Sequence, residues 1–111
     1  MSIRTKGRRK ILVGEQHYIW YVAPDEESPY DLLHIASEDK TLILACPLGT
    51  KTAYAISQGR IFQKEKTDGC WHRYLLPSEM PDAITPGFVR QVILWATEAT
   101  GAESVSRHVP V

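Results

Sequence analysis

Asp68, Cys70 and His72 recur at every second position and have the residue types to do chemistry. On a strand or its entry turn, residues two apart share a face, so a thiolate and an imidazole could reach one metal ion. Zinc would need two more ligands, and His17 or His34 would supply them only if neighbouring strands aligned. Structural zinc normally announces itself with paired ligand motifs, which are missing here. The expectation is therefore no metal, with Cys70 as a buried cysteine, a small hydrophobe beside a half-exposed histidine. Read instead as nucleophile and base, Cys70 and His72 run parallel on one strand and lack a third orienting group and an oxyanion donor. No catalytic residue and no cofactor are expected.

A second constellation is the basic start of the chain. Arg4, Lys6, Arg8, Arg9 and Lys10 precede an aromatic stretch holding Tyr18, Trp20 and Tyr21. Cations that contact phosphates, next to rings on which bases stack, are the chemistry of single-strand nucleic-acid binding. A strand edge protected by lysine and arginine explains the same residues. A third reading places a ligand pocket, in a small enzyme or carrier, near His34, Tyr54 and His72, with Tyr18 and Trp20 among its contacts.

The remaining motifs carry less. Gly49-Thr50-Lys51-Thr52 lacks the glycine before the lysine and the following helix that a phosphate-binding loop requires. Asp25-Glu26-Glu27 and Glu38-Asp39 sit where turns need polar residues, without the contrasting environments that acid–base pairs require. G-x-S-x-G, G-x-G-x-x-G and H-E-x-x-H do not occur. The enzyme reading is accordingly the weaker one.

The elements that must position these residues are mostly strands. Apolar β-branched and aromatic runs predict strands at 9–13, 16–23, 32–37, 41–46 and 53–57, with 60–64 continuing or pairing and 70–76 as the last. Gly14-Glu15, Glu38-Asp39-Lys40, Gln58-Gly59 and Asp68-Gly69 supply turns, and two prolines with four acids make 24–31 a surface loop. Pro77, Pro81 and Pro86 make 77–85 rigid and irregular. Thr85 is a sound N-cap and Pro86 suits the first helical position. From there Phe88, Val89, Val92, Ile93, Trp95, Ala96 and Ala99 fall in one apolar arc at about 100° per residue, and Gly101 is a natural stop.

Runs of strands ending in one helix predict an α+β fold. The expected form is a curled antiparallel sheet of five to six strands with one C-terminal amphipathic helix. A parallel sheet is excluded, because no internal helix is available for its crossovers. The 111 residues make one domain, with 1–8 as a basic arm and 102–111 as a frayed tail. Lys and Arg number 13 against 13 acids, so bulk charge does not drive partner choice. No apolar run approaches the roughly 20 residues of a membrane span, and no leader core follows the basic start. Two cysteines fit a reducing compartment, and a cytoplasmic location is expected.

The segment Trp71-His72-Arg73-Tyr74-Leu75-Leu76-Pro77, followed by Ile84-Thr85-Pro86-Gly87-Phe88-Val89, resembles small bacterial proteins of mobile gene cassettes, those carried by integrons. The resemblance spans 9–99 and is one of kind. It implies a bacterial accessory protein, often oligomeric, and brings no catalytic residue, cofactor or partner with it.

The alternation of the central strands adds one expectation. Ile19, Tyr21 and Ala23 lie on one side against Tyr18, Trp20 and Val22 on the other, and Leu42, Leu44 and Cys46 oppose Ile43 and Ala45. Both faces are apolar, and one helix cannot cover both. The sequence therefore predicts a small non-catalytic binding or interaction module, a homodimer that buries part of the Tyr18–Trp20–Val22 face.

Overall fold

β-branched and aromatic residues form strands wherever turn chemistry releases them. The computed structural model describes residues 7–105. Its strands are β1 (Arg9–Val13), β2 (Gln16–Pro24), β3 (Asp31–Ser37), β4 (Ile43–Pro47), β5 (Tyr54–Ser57), β6 (Ile61–Phe62), β7 (Glu65–Lys66), β8 (His72–Leu75) and β9 (Ser104–Val105). The helix α1 (Pro86–Glu98) follows β8. Seven strands form one sheet in the order β1-β2-β3-β4-β5-β8-β9, and β6-β7 is a separate two-stranded ribbon. Every pairing is antiparallel.

The main sheet thus exceeds the expected five to six strands, for a local reason. The stretch expected to fray contributes β9, where Arg73 pairs with Val105, Tyr74 with Ser104, and the Leu75 N–H donates to the Glu103 carbonyl at 2.9 Å. Residues 60–64, read as one strand, instead turn back on themselves as β6 and β7. Gln63 and Lys64 form that turn with φ of 50° and 69°, the left-handed geometry of a tight two-residue hairpin. Gln63 is held there by what its length reaches. Its N–H donates to Ala96 O at 2.7 Å, its side-chain amide donates to Trp95 O at 3.1 Å, and its Oε1 accepts from Ala102 N at 3.1 Å. Two of these bonds satisfy carbonyls at the end of α1 that have no intrahelical partner.

Two other connections are fixed by specific atoms. In the β3–β4 turn the Asp39 carboxylate accepts from the Ser37 and Thr41 hydroxyls, each at 2.7 Å, and from Thr41 N at 3.1 Å. The Ser37 and Thr41 bonds hold Asp39 down to about 2, well under the ordinary carboxylate range. This staple keeps Thr41 and Leu42 in the turn, so β4 starts two residues later than the apolar run suggests. Gly59 runs against the backbone entering β4, where an added Cβ would lie 2.3 Å from Thr41 O and 2.7 Å from Ile43 N. Only glycine permits that approach.

The helix stands where the sequence placed it, with Thr85 as N-cap accepting from Phe88 N at 3.2 Å. Val89, Val92, Ile93 and Ala96 are buried, and Leu94, the odd apolar residue on the polar side, is exposed. The face that α1 covers differs from the expectation. Tyr18 and Trp20 are 5% and 6% exposed and belong to the core with Leu33, Ile35, Leu44 and Cys46. The side expected to stay free for a partner is the helix side.

Candidate functional site

Strand register builds the uncovered face row by row, because directly paired residues share a face. Tyr21 pairs with His34, His34 with Ala45, Ala45 with Ile56, Ile56 with Arg73, and Arg73 with Val105. On one side of this row Lys10 pairs with Ile19, Ile19 with Ala36, and Ala36 with Ile43. On the other side Ala23 pairs with Leu32 and Leu32 with Pro47. Ile19, Leu32, Ile43 and Ile56 are half-buried, and none packs against the core cluster. The only helix among the described residues lies on the opposite side. A half-wet antiparallel sheet would place polar residues here, and this one places isoleucine, leucine and tyrosine.

One end of the central row is polar and ordered. The Arg8 guanidinium lies 4.8 Å from the Tyr21 ring centroid, and the Tyr21 and His34 rings stack at 4.8 Å with 17° between their planes. Arg8 approaches from the β1 side and His34 from the β3 side, so both faces of Tyr21 are occupied and its edge points outward. Burial pushes the His34 imidazole below its ordinary value and the Arg8 charge adds to that, while Asp25 pulls the other way. Beyond His34 the row dips at Ala45, which its neighbours bury completely, then rises at Ile56 and Arg73. Trp71, which precedes β8 in alternation with Arg73, is 66% exposed.

The residues singled out from sequence are dispersed. Tyr18 and Trp20 lie beneath α1, where burial raises the Tyr18 hydroxyl above its ordinary value and Arg9 sits 5.7 Å from the Trp20 ring centroid. His34 and Tyr54 belong to the uncovered face. His72, the register partner of Ser57, lies on the helix side at the far end of the sheet. The sheet itself separates His34 and Tyr54 from His72. The basic stretch divides likewise: Lys10 and Arg8 go to the uncovered face, Arg9 pairs with Trp20 on the helix side, and Arg4 lies outside the described residues.

Asp68 and His72 do meet, with Nε2 and Oδ1 2.8 Å apart, and the same carboxylate oxygen accepts from Cys70 N at 2.9 Å. The His72 and Cys70 bonds hold the Asp68 carboxyl below its usual value. The pair borders a shallow groove of about 350 Å³, shared with Phe62, Thr67 and Tyr74. The Cys70 thiol is exposed and not buried as expected, because Cys70 lies in the turn before β8 and not on the strand. Cys46 is fully buried and its thiol is pushed up to about 12. Among the described residues no three His, Cys, Asp or Glu side chains group to hold a metal ion. No described helix is long and apolar enough to cross a membrane.

Sequence reasoning identified two apolar faces but chose the wrong one for the helix. Side-chain bulk does not separate them: in β3 and β4 Leu33, Ile35 and Leu44 face the helix and His34, Ala36 and Ala45 do not, whereas in β5 Ala55 and Ser57 face the helix and Tyr54 and Ile56 do not. No family model matches this chain, and neither a curated protein nor a solved structure matches it.

Proposed function

We propose that this chain is a small, non-catalytic protein-interaction module of the bacterial cytoplasm, an accessory protein of the mobile-cassette kind, working through the uncovered face of its sheet. The observation that carries the reading is that Ile19, Leu32, Ile43 and Ile56, half-buried around the Tyr21–His34 stack, stand outside the core cluster on the side away from α1. An apolar sheet face without a helix on it marks an interaction site. Two unpaired thiols agree with a reducing compartment.

The rival readings draw less support from the geometry. A nucleic-acid platform needs aromatic faces turned outward. Tyr18 and Trp20 are buried, and Tyr21 has its faces occupied by Arg8 and His34. An enzyme or ligand carrier would draw His34 and His72 together, and they stand on opposite sides of the sheet.

A fluorescent apolar probe such as anilinonaphthalene sulfonate tests the proposal on protein diluted to nanomolar concentration. Wild type is expected to bind it, Ile56→Arg to lose binding, and His72→Ala, on the helix side, to keep it. Loss on His72→Ala with retention on Ile56→Arg would move the working surface to the Asp68–His72 groove.

A further inference from the structure

We infer that the occupant of the uncovered face is a second copy of this chain, packed sheet against sheet about a two-fold axis that runs along β4. The inference rests on that face being the working surface and adds what covers it. β4 is the middle strand of seven, and Ala45 lies in the row that runs from Tyr21 on β2 to Val105 on β9, with Arg8 against its Tyr21 end. Two sheets pack face to face about 10 Å apart, and a surface of this kind is completed by another like it.

The area suffices. Seven strands at about 4.8 Å spacing span roughly 29 Å, and three rows along the strands span roughly 20 Å. Each copy therefore offers about 600 Å², and a pair buries about 1,200 Å², above the roughly 1,000 Å² that a specific interface needs.

The charges select the axis. Face-to-face two-fold packing has two simple solutions: an axis along the strands or one across them in the plane of the sheet. An axis across the strands lays each strand on its own copy, which brings Arg8 onto Arg8 and Arg73 onto Arg73. Like charges directly opposed are strongly disfavoured. An axis along β4 reverses the row. Tyr21 then meets the second copy's Arg73, His34 meets Ile56, and the dip at Ala45 meets itself. Arg8 arrives beside β9, where Glu103 precedes Ser104 and Val105. A cation near a carboxylate replaces the Arg8 self-contact, and Arg73 meets the outward edge of Tyr21 instead of its own copy.

Size-exclusion chromatography with light scattering at micromolar protein tests this, with probe fluorescence measured on the same samples before and after dilution. Wild type is expected at about twice 12.6 kDa, dark to the probe until diluted. Ile56→Arg is expected to weaken the dimer by at least about 100-fold. Ile43→Lys is the second open-face variant should Ile56→Arg lose its cooperative melt. Arg8→Glu is expected to weaken the dimer, and Arg8→Glu with Glu103→Arg to restore it to within about threefold. A stronger dimer with Arg8→Glu alone, or a dimer indifferent to both open-face variants, would overturn the proposal. A wild-type monomer that binds the probe would overturn the second copy and leave the working surface standing. A monomer that does not bind it would overturn both.

Discussion

The two faces of this sheet are cut from the same strands by alternation, yet they have different fates. On one, Tyr18, Trp20, Leu33, Ile35 and Leu44 meet Val89, Val92 and Ile93 of α1 and are excluded from water within the chain. On the other, Ile19, Leu32, Ile43 and Ile56 are as apolar but are half-buried outside the core cluster. Apolar character alone therefore does not define the core. The faces differ in the placement of charge. The helix side has Arg9 at its margin, whereas the open side carries Arg8, Lys10 and Arg73 at its ends.

The sharpest way to break this comparison is to place a charge on each side. Val92→Asp would bury an unpaired carboxylate among fully packed residues and should abolish the cooperative thermal transition. Ile43→Asp, on the open side, should still melt cooperatively, and loss of that transition would show that the open face is internal core. Truncations grade the same contrast. Leu44→Ala should cost about 2–5 kcal/mol in urea unfolding, whereas Ile43→Ala, its neighbour in sequence, should cost roughly 1 kcal/mol in dilute protein.

The anchoring of the helix end gives a finer test. Gln63→Ala removes two side-chain hydrogen bonds and keeps the left-handed backbone, and should cost about 1–3 kcal/mol. Lys64→Gly relieves the same backbone geometry at an exposed residue and should be neutral or stabilising by up to about 1 kcal/mol. Equal effects from the two substitutions would remove the role assigned to Gln63.

A pH series addresses the open face. His34 is held below its unfolded value, so the unfolded chain binds the proton first as pH falls. Its contribution to stability is present in full above about 6.5 and is lost as the pH drops through the folded value. The midpoint of thermal unfolding between pH 7.5 and 5 should therefore fall more for wild type than for His34→Gln. Identical slopes would contradict the burial of the imidazole. The smallest effect is chemical. Native protein should release one thiol equivalent to a disulfide reagent, from exposed Cys70, and the second, from Cys46, only on unfolding.

Much of the architecture was legible because local chemistry and the fold agree. Thr85-Pro86 starts the helix, Gly14-Glu15 turns the first hairpin, and the aromatic run around Trp20 forms the longest strand. The departures occur where a distant contact decides. Ser104–Val105 has no strand signal of its own and forms β9 because β8 offers an open edge. Gln63 looks like an ordinary polar residue until the end of α1 is placed beside it. The second apolar face was legible as an excess of apolar surface over what one helix can cover. Its side was not, since alternation fixes which residues travel together and not which set the helix meets. The expected cluster of Tyr18, Trp20, His34, Tyr54 and His72 ignored that same alternation, which splits it between two faces.

Hydroxyl-radical footprinting over a dilution series tests the central claim most directly, because it reads the side chains of both faces at once. Tyr21, Ile43 and Ile56 should be protected at micromolar concentration and become labelled on dilution, while Tyr18 and Trp20 stay protected throughout. Constant labelling of Tyr21 and Ile56 at every concentration, or new labelling of Trp20 on dilution, would contradict it.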